Sequence, residues 1–179
     1  MTITKEAITT AFIKLYMQKP YEKITIKELC QKAPVARTTF YEYYENLAQL
    51  KTEIEDHTIQ GILELADQTC DENITNIDLT KYFLNVFIYI KENWNVNEAF
   101  LVKQPNYEYI EKWKKALKYH LKCRFPQKVT IPNYDLIAEV IASGVIGAYI
   151  YWMKHPDQVE PSKINEISVK ALNALMDII

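Results

Sequence analysis

Apolar residues along this chain recur at three- and four-residue spacing, and the prolines cut that pattern into helix-length pieces. Ile8, Ala11, Phe12 and Leu15 predict a first helix from about Thr4 to Gln18, closed by Pro20. T-I-K-E at Thr25 to Glu28 marks a second start, with a capping oxygen on Thr25 and a reciprocal acceptor on Glu28 three residues later. This helix can run only to about Lys32, because Pro34 cannot sit in a helix interior and pushes Ala33 towards extended geometry. A third short helix follows over Ala36 to Tyr44, where Phe40 and Tyr44 share a face. From Leu47 to about Thr69, Leu50, Ile54, Ile59, Ile62, Leu63 and Ala66 keep helical spacing over a length that can bridge two domains. Further helices are expected near 78–93, 96–103 and 106–124. A polar, Pro-marked break runs from Pro126 to Pro132, and two more helices follow, near 134–154 and from about Pro161 to the C-terminus.

Composition supports that reading. The 179 residues include only 3 glycines, too few turn formers for a many-stranded sheet, and the expected fold class is all-α. With 49% apolar and 25% charged residues the chain should bury a core rather than remain disordered. No apolar run is expected to reach the roughly 18–20 residues of a membrane span, and MTITKEAITTAF has neither a basic leader nor a small-residue cleavage site; the expectation is a cytoplasmic protein with no membrane partner. Cys30, Cys70 and Cys123 are odd in number and widely spaced, which suits three buried thiols better than a disulfide framework. His57, His120 and His155 are equally scattered, so neither a metal site nor a cofactor is expected. No nucleophile and base set, carboxylate pair at plausible spacing or phosphate-cradling glycine loop can be found, so an enzyme is not expected and ranks a distant third among the readings.

Charge is uneven. The net charge is −2, yet residues 1–50 hold seven basic side chains against five acidic ones, so a mildly basic head precedes an acidic body. The head contains ITIKELCQKAPVARTTFYEYY, residues 24–44: a capped helix, a turn of three to four residues and a second short helix, the spacing of a helix-turn-helix. The major groove of B-DNA admits one α-helix, and the preceding helix must brace it. Ile24, Ile26, Leu29, Val35 and Phe40 are the candidate bracing core. Arg37, Thr38, Tyr41 and Tyr43 point outward, offering a guanidinium for guanine, hydroxyls for phosphate and rings for thymine methyl groups. On its own, the spacing is also that of a plain helical hairpin with a solvated face.

The string APVARTTFYEYY, preceded by ITI and followed by NLAQL at the start of a long helix, closely resembles the DNA-binding domain of the TetR family over about residues 5–55. The resemblance implies a helix-turn-helix domain over 1–50 and a helical regulatory and dimerisation domain over 51–179. It also implies a homodimer on double-stranded, palindromic operator DNA. By it, Thr25 and Lys27 at the start of their helix touch phosphate, Arg37 and Thr38 reach base edges, and Thr39, Tyr41 and Tyr43 clamp the backbone. Two positions depart from the family pattern. Pro34 replaces the turn glycine, permitting a turn but without positive φ, and Leu47 replaces a lysine expected to contact phosphate.

The body is less specific. SGVIGAYIYWMKHP, from Ser143, resembles C-terminal domains in a branch of the same family that includes regulators of dihydroxyacetone kinase operons. Ala142, Ser143, Gly144, Gly147, Ala148 and Tyr151 give one helix small faces that suit either core packing or a dimer seam, and the family places its seam on its last two helices. Phe87, Trp94, Tyr107, Trp113, Tyr149 and Trp152 are candidates to line a pocket for a small apolar or aromatic effector, with ordinary core as the alternative. The function these features suggest is a ligand-responsive repressor. A protein-binding co-regulator with the same fold and weak DNA affinity is the second reading.

Overall fold

A computed structural model describes residues 2–69 and 79–176. All regular structure among them is helical: α1 (Ile3–Gln18), α2 (Ile26–Lys32), α3 (Arg37–Tyr43), α4 (Leu47–Thr69), α5 (Leu79–Glu92), α6 (Trp94–Asn97), α7 (Tyr107–Arg124), α8 (Tyr134–Lys154) and α9 (Pro161–Met176), with 3-10 turns at Tyr21–Lys23 and Pro126–Lys128. The expected helix starting near residue 78 and the end of the last helix extend into positions outside the described residues. The helix expected over 96–103 is not a regular one. α6 runs into a π-helical stretch, Glu98–Lys103, closed by a five-residue hydrogen bond from Gln104 N to Ala99 O at 3.0 Å.

The chain forms two compact units, Met1–Thr58 with Asn95–Pro105, and Ile59–Trp94 with Asn106–Ile179. In the first, Thr2 caps α1 by accepting from Lys5 N at 3.3 Å, and Ile8, Ala11, Phe12 and Leu15 are buried as their spacing predicts. Thr25 caps α2 through Glu28 N at 3.3 Å. The reciprocal half of that capping box is absent. Glu28 instead turns its carboxylate to the Lys19 ammonium, because a charged partner outcompetes a neutral N–H. A reciprocal pair does form at the start of α4, where Asn46 Oδ1 accepts from Gln49 N at 2.9 Å and Gln49 Oε1 accepts from Glu45 N at 2.6 Å.

The π-helical stretch completes the first unit. It buries Ala99, Phe100 and Leu101, and the Phe100 ring meets Tyr16 edge-on at 4.9 Å. Gln104 then fastens the end of α1. Its amide nitrogen donates to Tyr16 O and, at 2.8 Å, to Lys19 O, while its amide oxygen accepts from Tyr21 N at 3.0 Å.

The second unit packs α8 against α7 and α9, with α5 on α9. Gly61 of α4 meets the Tyr89 phenol of α5 so closely that a Cβ there would collide with it. α8 corrects one expectation. Its 21 residues include an 18-residue window of mean hydropathy 1.6, long and apolar enough to cross a membrane by length and composition, because polar Glu139 and Ser143 are spread thinly through it. Here it is a core helix: Ala138, Ile141, Ala142, Val145, Ile146, Tyr149 and Trp152 are buried, and Glu139 is ion-paired to Lys114 at 2.9 Å and Lys118 at 2.7 Å on α7. A second correction concerns the thiols. Cys30 is buried, but Cys123 is exposed on the outer side of α7; Cys70 lies outside the described residues.

His120 lies in this core with its ring stacked on Tyr82 at 3.6 Å. Burial, followed by the nearby Arg124 charge, lowers its pKa from 6.5 to about 3. The unfolded chain therefore binds one more proton than the folded one between those values. Stability from this group is fully present above pH 6.5 and declines as pH falls towards 3, by about 1.4 kcal/mol per pH unit. Urea unfolding at pH 7 and pH 5 should show a loss of about 2 kcal/mol, in a window where carboxylates titrate little. His120→Phe, which keeps a ring on Tyr82, should flatten that dependence. Equal pH dependence in the two proteins would refute the assignment.

Candidate nucleic-acid interface

α2 and α3 are joined by the four residues Ala33 to Ala36 and braced from within. Leu29, Ala33, Phe40 and Tyr44 are buried, Ile24 is nearly so, and Ile26 and Val35 are half-buried. Opposite this core, Arg37 and Thr38 in the first turn of α3 are exposed, Tyr41 is 50% exposed, and Thr39 and Tyr43 are half-buried. Thr25 and Lys27 are exposed at the start of α2, although the Thr25 hydroxyl oxygen also serves as the helix cap. The predicted polar residues therefore line the outside of one helix-turn-helix, whose second helix presents a guanidinium, hydroxyls and one open aromatic ring.

The turn corrects the expectation for Pro34, which sits at φ 22. α2 ends in a Schellman closure. Val35 N donates back to Cys30 O at 3.0 Å, six residues to one, and this bond requires a left-handed residue just past the cap. A pyrrolidine ring prefers φ near −65°, and proline has no N–H for the companion bond to Gln31 O. The turn thus keeps the backbone path of a glycine turn while losing one of its two hydrogen bonds.

One contributor escaped the sequence reading. Lys5 Nζ in the first turn of α1 lies 2.8 and 3.0 Å from the two Glu53 oxygens on α4, 5.3 Å from the Tyr44 ring centroid and 5.9 Å from that of Tyr43. The Tyr44 hydroxyl donates to Glu53 Oε1 at 3.0 Å, and burial, followed by this bond, pushes the phenol pKa up. Three elements thus meet at one carboxylate. No local periodicity signals a contact across 48 residues.

In the second unit the candidate effector residues separate. Phe87, Trp94 and Trp152 form one cluster, with centroids 4.8 Å apart for Phe87 and Trp152 and 5.2 Å for Trp94 and Trp152. Trp113 and Tyr149 form another at 6.4 Å, with Tyr109 against Trp113. Tyr107 joins neither, being 73% exposed. Among the described residues, Trp113 Nε1 and the Tyr149 hydroxyl have no hydrogen-bond partner, and burial pushes the Tyr149 pKa up. Of the candidate seam residues, Ser143, Gly144, Gly147 and Tyr151 are exposed and Ala148 is half-buried. Ala142 is fully buried in the unit's own core. Gly144 and Ala148 also line an open groove between α8 and α9 with Val140, Ile167, Ala171 and Leu175. The last three recur at four-residue spacing on α9, a stripe legible in the sequence but not singled out there.

These features define the class of helix-turn-helix proteins with a separate helical body. Residues 77–174 match the TetR-type family described as "Transcriptional regulator C-terminal region". The chain is 24% identical over 117 residues to the HTH-type dhaKLM operon transcriptional activator DhaS of Lactococcus lactis, a match covering 64% of this chain. It spans 59% of the length of that relative. Among solved structures, a TerR/AcrR-family transcriptional regulator from Aquifex aeolicus superposes at TM-score 0.67 and 20% identity, covering 96% of this chain and 99% of the other. The dihydroxyacetone kinase operon activator DhaS superposes at 0.66 and 19%, covering 98% and 97%. A SmeT–triclosan complex, SmeT being the repressor of a Stenotrophomonas maltophilia multidrug efflux pump, superposes at 0.75 and 13%, covering 99% and 91%. The chain belongs to the TetR family of transcriptional regulators, a family of regulators rather than enzymes.

Pro34→Gly should remove the strain at φ 22 and restore a donor to Gln31 O. The gain is about 1–2 kcal/mol after subtracting the extra unfolded-state freedom of glycine. A rise in the urea midpoint at constant slope is the expected result; a fall would show that the turn tolerates the ring without strain.

Proposed function

We propose that this chain is a ligand-responsive repressor that binds a palindromic operator as a homodimer. The carrying observation is the outward face of α3, where Arg37, Thr38 and Tyr41 stand exposed over the buried Leu29 and Phe40. Arg37 reads a base edge, Thr38 reaches beside it, and Thr25, Lys27, Thr39, Tyr41 and Tyr43 engage the phosphate backbone. A co-regulator without DNA affinity would have no need of these side chains on that face. DNA binding is assigned to residues 1–50 and regulation and dimerisation to residues 51–179, a functional division that differs from the two compact units because residues 51–58 and 95–105 pack with the first of them, and the protein works in the cytoplasm where its operator is. DhaS is an activator and SmeT a repressor, so the direction of regulation is read with a promoter reporter.

The second copy lies on the exposed face of α8 and the α8–α9 groove, where Gly144, Gly147, Ala148 and Tyr151 meet Val140 and Ile167. The effector is a small apolar or aromatic molecule that also accepts a hydrogen bond. Buried donors normally have partners, and Trp113 Nε1 and the Tyr149 hydroxyl are donors among rings. Phe87, Trp94 and Trp152 supply further aromatic surface, and Tyr107 stands outside both ring clusters. The triclosan bound by SmeT is a ligand of that general chemistry.

Arg37→Ala should weaken operator binding by about 1–3 kcal/mol while leaving a scrambled duplex nearly unaffected. Lys27→Ala should weaken both alike. Gel-shift titrations at fixed salt separate the two, and equal losses on both duplexes for Arg37→Ala would refute base reading.

Ala148→Arg should abolish dimerisation, since a guanidinium would be forced unpaired into a close-packed seam at several kcal/mol. Half-burial of Ala148 in the single chain lets the fold survive the change. Sedimentation velocity is the measurement, and an intact dimer with normal operator affinity would place the seam elsewhere.

A further inference from the structure

We propose that Lys5 is a DNA-phosphate contact, pre-positioned by Glu53 at the edge of the α3 face; this rests on the reading of the first unit as the DNA-binding one. The Lys5–Glu53 pair joins α1 to α4, with side chains 27% and 40% exposed. A pair that open contributes little to stability, so its worth as a strut is small. Its geometry does more for binding. Two Lys5 donors go to Glu53 at 2.8 and 3.0 Å, which fixes a side chain that otherwise loses rotamer entropy when it settles on a partner. Glu53 is simultaneously hydrogen-bonded by the Tyr44 hydroxyl, so its negative charge is shared with a second donor.

The ammonium is also held near aromatic faces, 5.3 Å from the Tyr44 centroid and 5.9 Å from that of Tyr43. Tyr43 closes α3 and is only half-buried, and Lys5 sits in the first turn of α1, where the helix dipole is positive. A polyanion lying along Arg37, Thr38 and Tyr41 and reaching Tyr43 therefore meets a fixed cation there. Glu53 is the positioning residue, and it releases or shares Lys5 as the phosphate arrives.

The test is the salt dependence of binding to a fluorescein-labelled duplex of random sequence, compared between Glu53→Gln and the double variant Glu53→Gln/Lys5→Met. Both lack the carboxylate, so they differ in Lys5 alone. Each phosphate contact adds about 0.9 to the slope of log K against log salt. The double variant should be shallower by about 0.9 for each head on the duplex, about 1.8 for a homodimer, so that its affinity falls roughly 12-fold less between 50 and 200 mM salt. Glu53→Gln itself should be at least as steep as the wild type, because a competing anion is gone. Lys5→Arg, which keeps the charge, should retain the wild-type slope and guards against a double variant that fails to fold. Equal slopes in the single and double variants, with only the melting temperature changed, would overturn the proposal and leave the pair a structural strut. A wild-type protein with no salt-dependent affinity would overturn the DNA reading itself, a different outcome from loss of the Lys5 effect alone.

Discussion

In the first unit the end of α1 is fastened by one amide. The last carbonyls of an α-helix have no partner within the helix, and those of α1 at Tyr16 and Lys19 are taken by the Gln104 amide, whose oxygen accepts from Tyr21 N in the following turn. Because these groups are part-buried, their hydrogen bonds matter more for what leaving them unmade would cost than for what they add. The Tyr16 hydroxyl completes the arrangement by donating to Gln104 O at 3.4 Å, and burial, aided by the charges of Glu55 and Glu22, pushes its pKa up to about 12. The phenol therefore stays protonated as a donor at any physiological pH. The end of α1 is thus completed by Gln104 from the π-helical segment rather than by residues 2–58 alone.

That dependence explains where sequence reasoning stopped. Helix positions and buried faces were legible because they are local: the four apolar residues of α1, the cap at Thr25 and the Asn46 start of α4 each act within a few residues of themselves. The π-helical stretch was not. A π-turn shifts the hydrogen-bond pattern by one residue while keeping the composition of an α-helix, so EAFLVK reads as a regular turn until Gln104 is seen closing on Ala99. The membrane-length character of α8 was missed for a related reason. Glu139 and Ser143 break the apolar run to the eye, whereas the mean over an 18-residue window of the helix remains high.

The outward face of the helix-turn-helix was legible as a set of residue types at fixed offsets, but the constraints behind it were not. Thr25, Lys27, Arg37, Thr38 and Tyr41 can be placed outside by helical phase alone. The backbone at Pro34 cannot, since a proline signals negative φ and only the Val35 to Cys30 closure imposes the opposite sign. Glu28 and Glu53 carry the same lesson. Each sits on a helix where a local role can be written for it, and each is claimed by a lysine of α1, Lys19 or Lys5, brought near by the fold. Charges choose partners by distance in space, and that distance is what local patterns omit.

The second unit leaves two apolar surfaces open, and backbone energetics separate them. On α5, Leu84 and Ile88 are 47% and 45% exposed between the exposed lysines 81 and 91, a face whose cations keep it hydrated. On α8, Gly144 and Gly147 each cost a helix about 1 kcal/mol relative to alanine. At Gly61 that loss has a local reason, the Tyr89 phenol. At Gly144 and Gly147 a Cβ would meet no atom of the described residues within 4 Å beyond the helix itself, so no described neighbour requires glycine there. A helix that gives up about 2 kcal/mol at two outward positions recovers it only if another surface approaches its backbone more closely than a side chain would allow. Small residues flanked by exposed Val140 and Tyr151 therefore favour α8 over α5 for the dimer face proposed above.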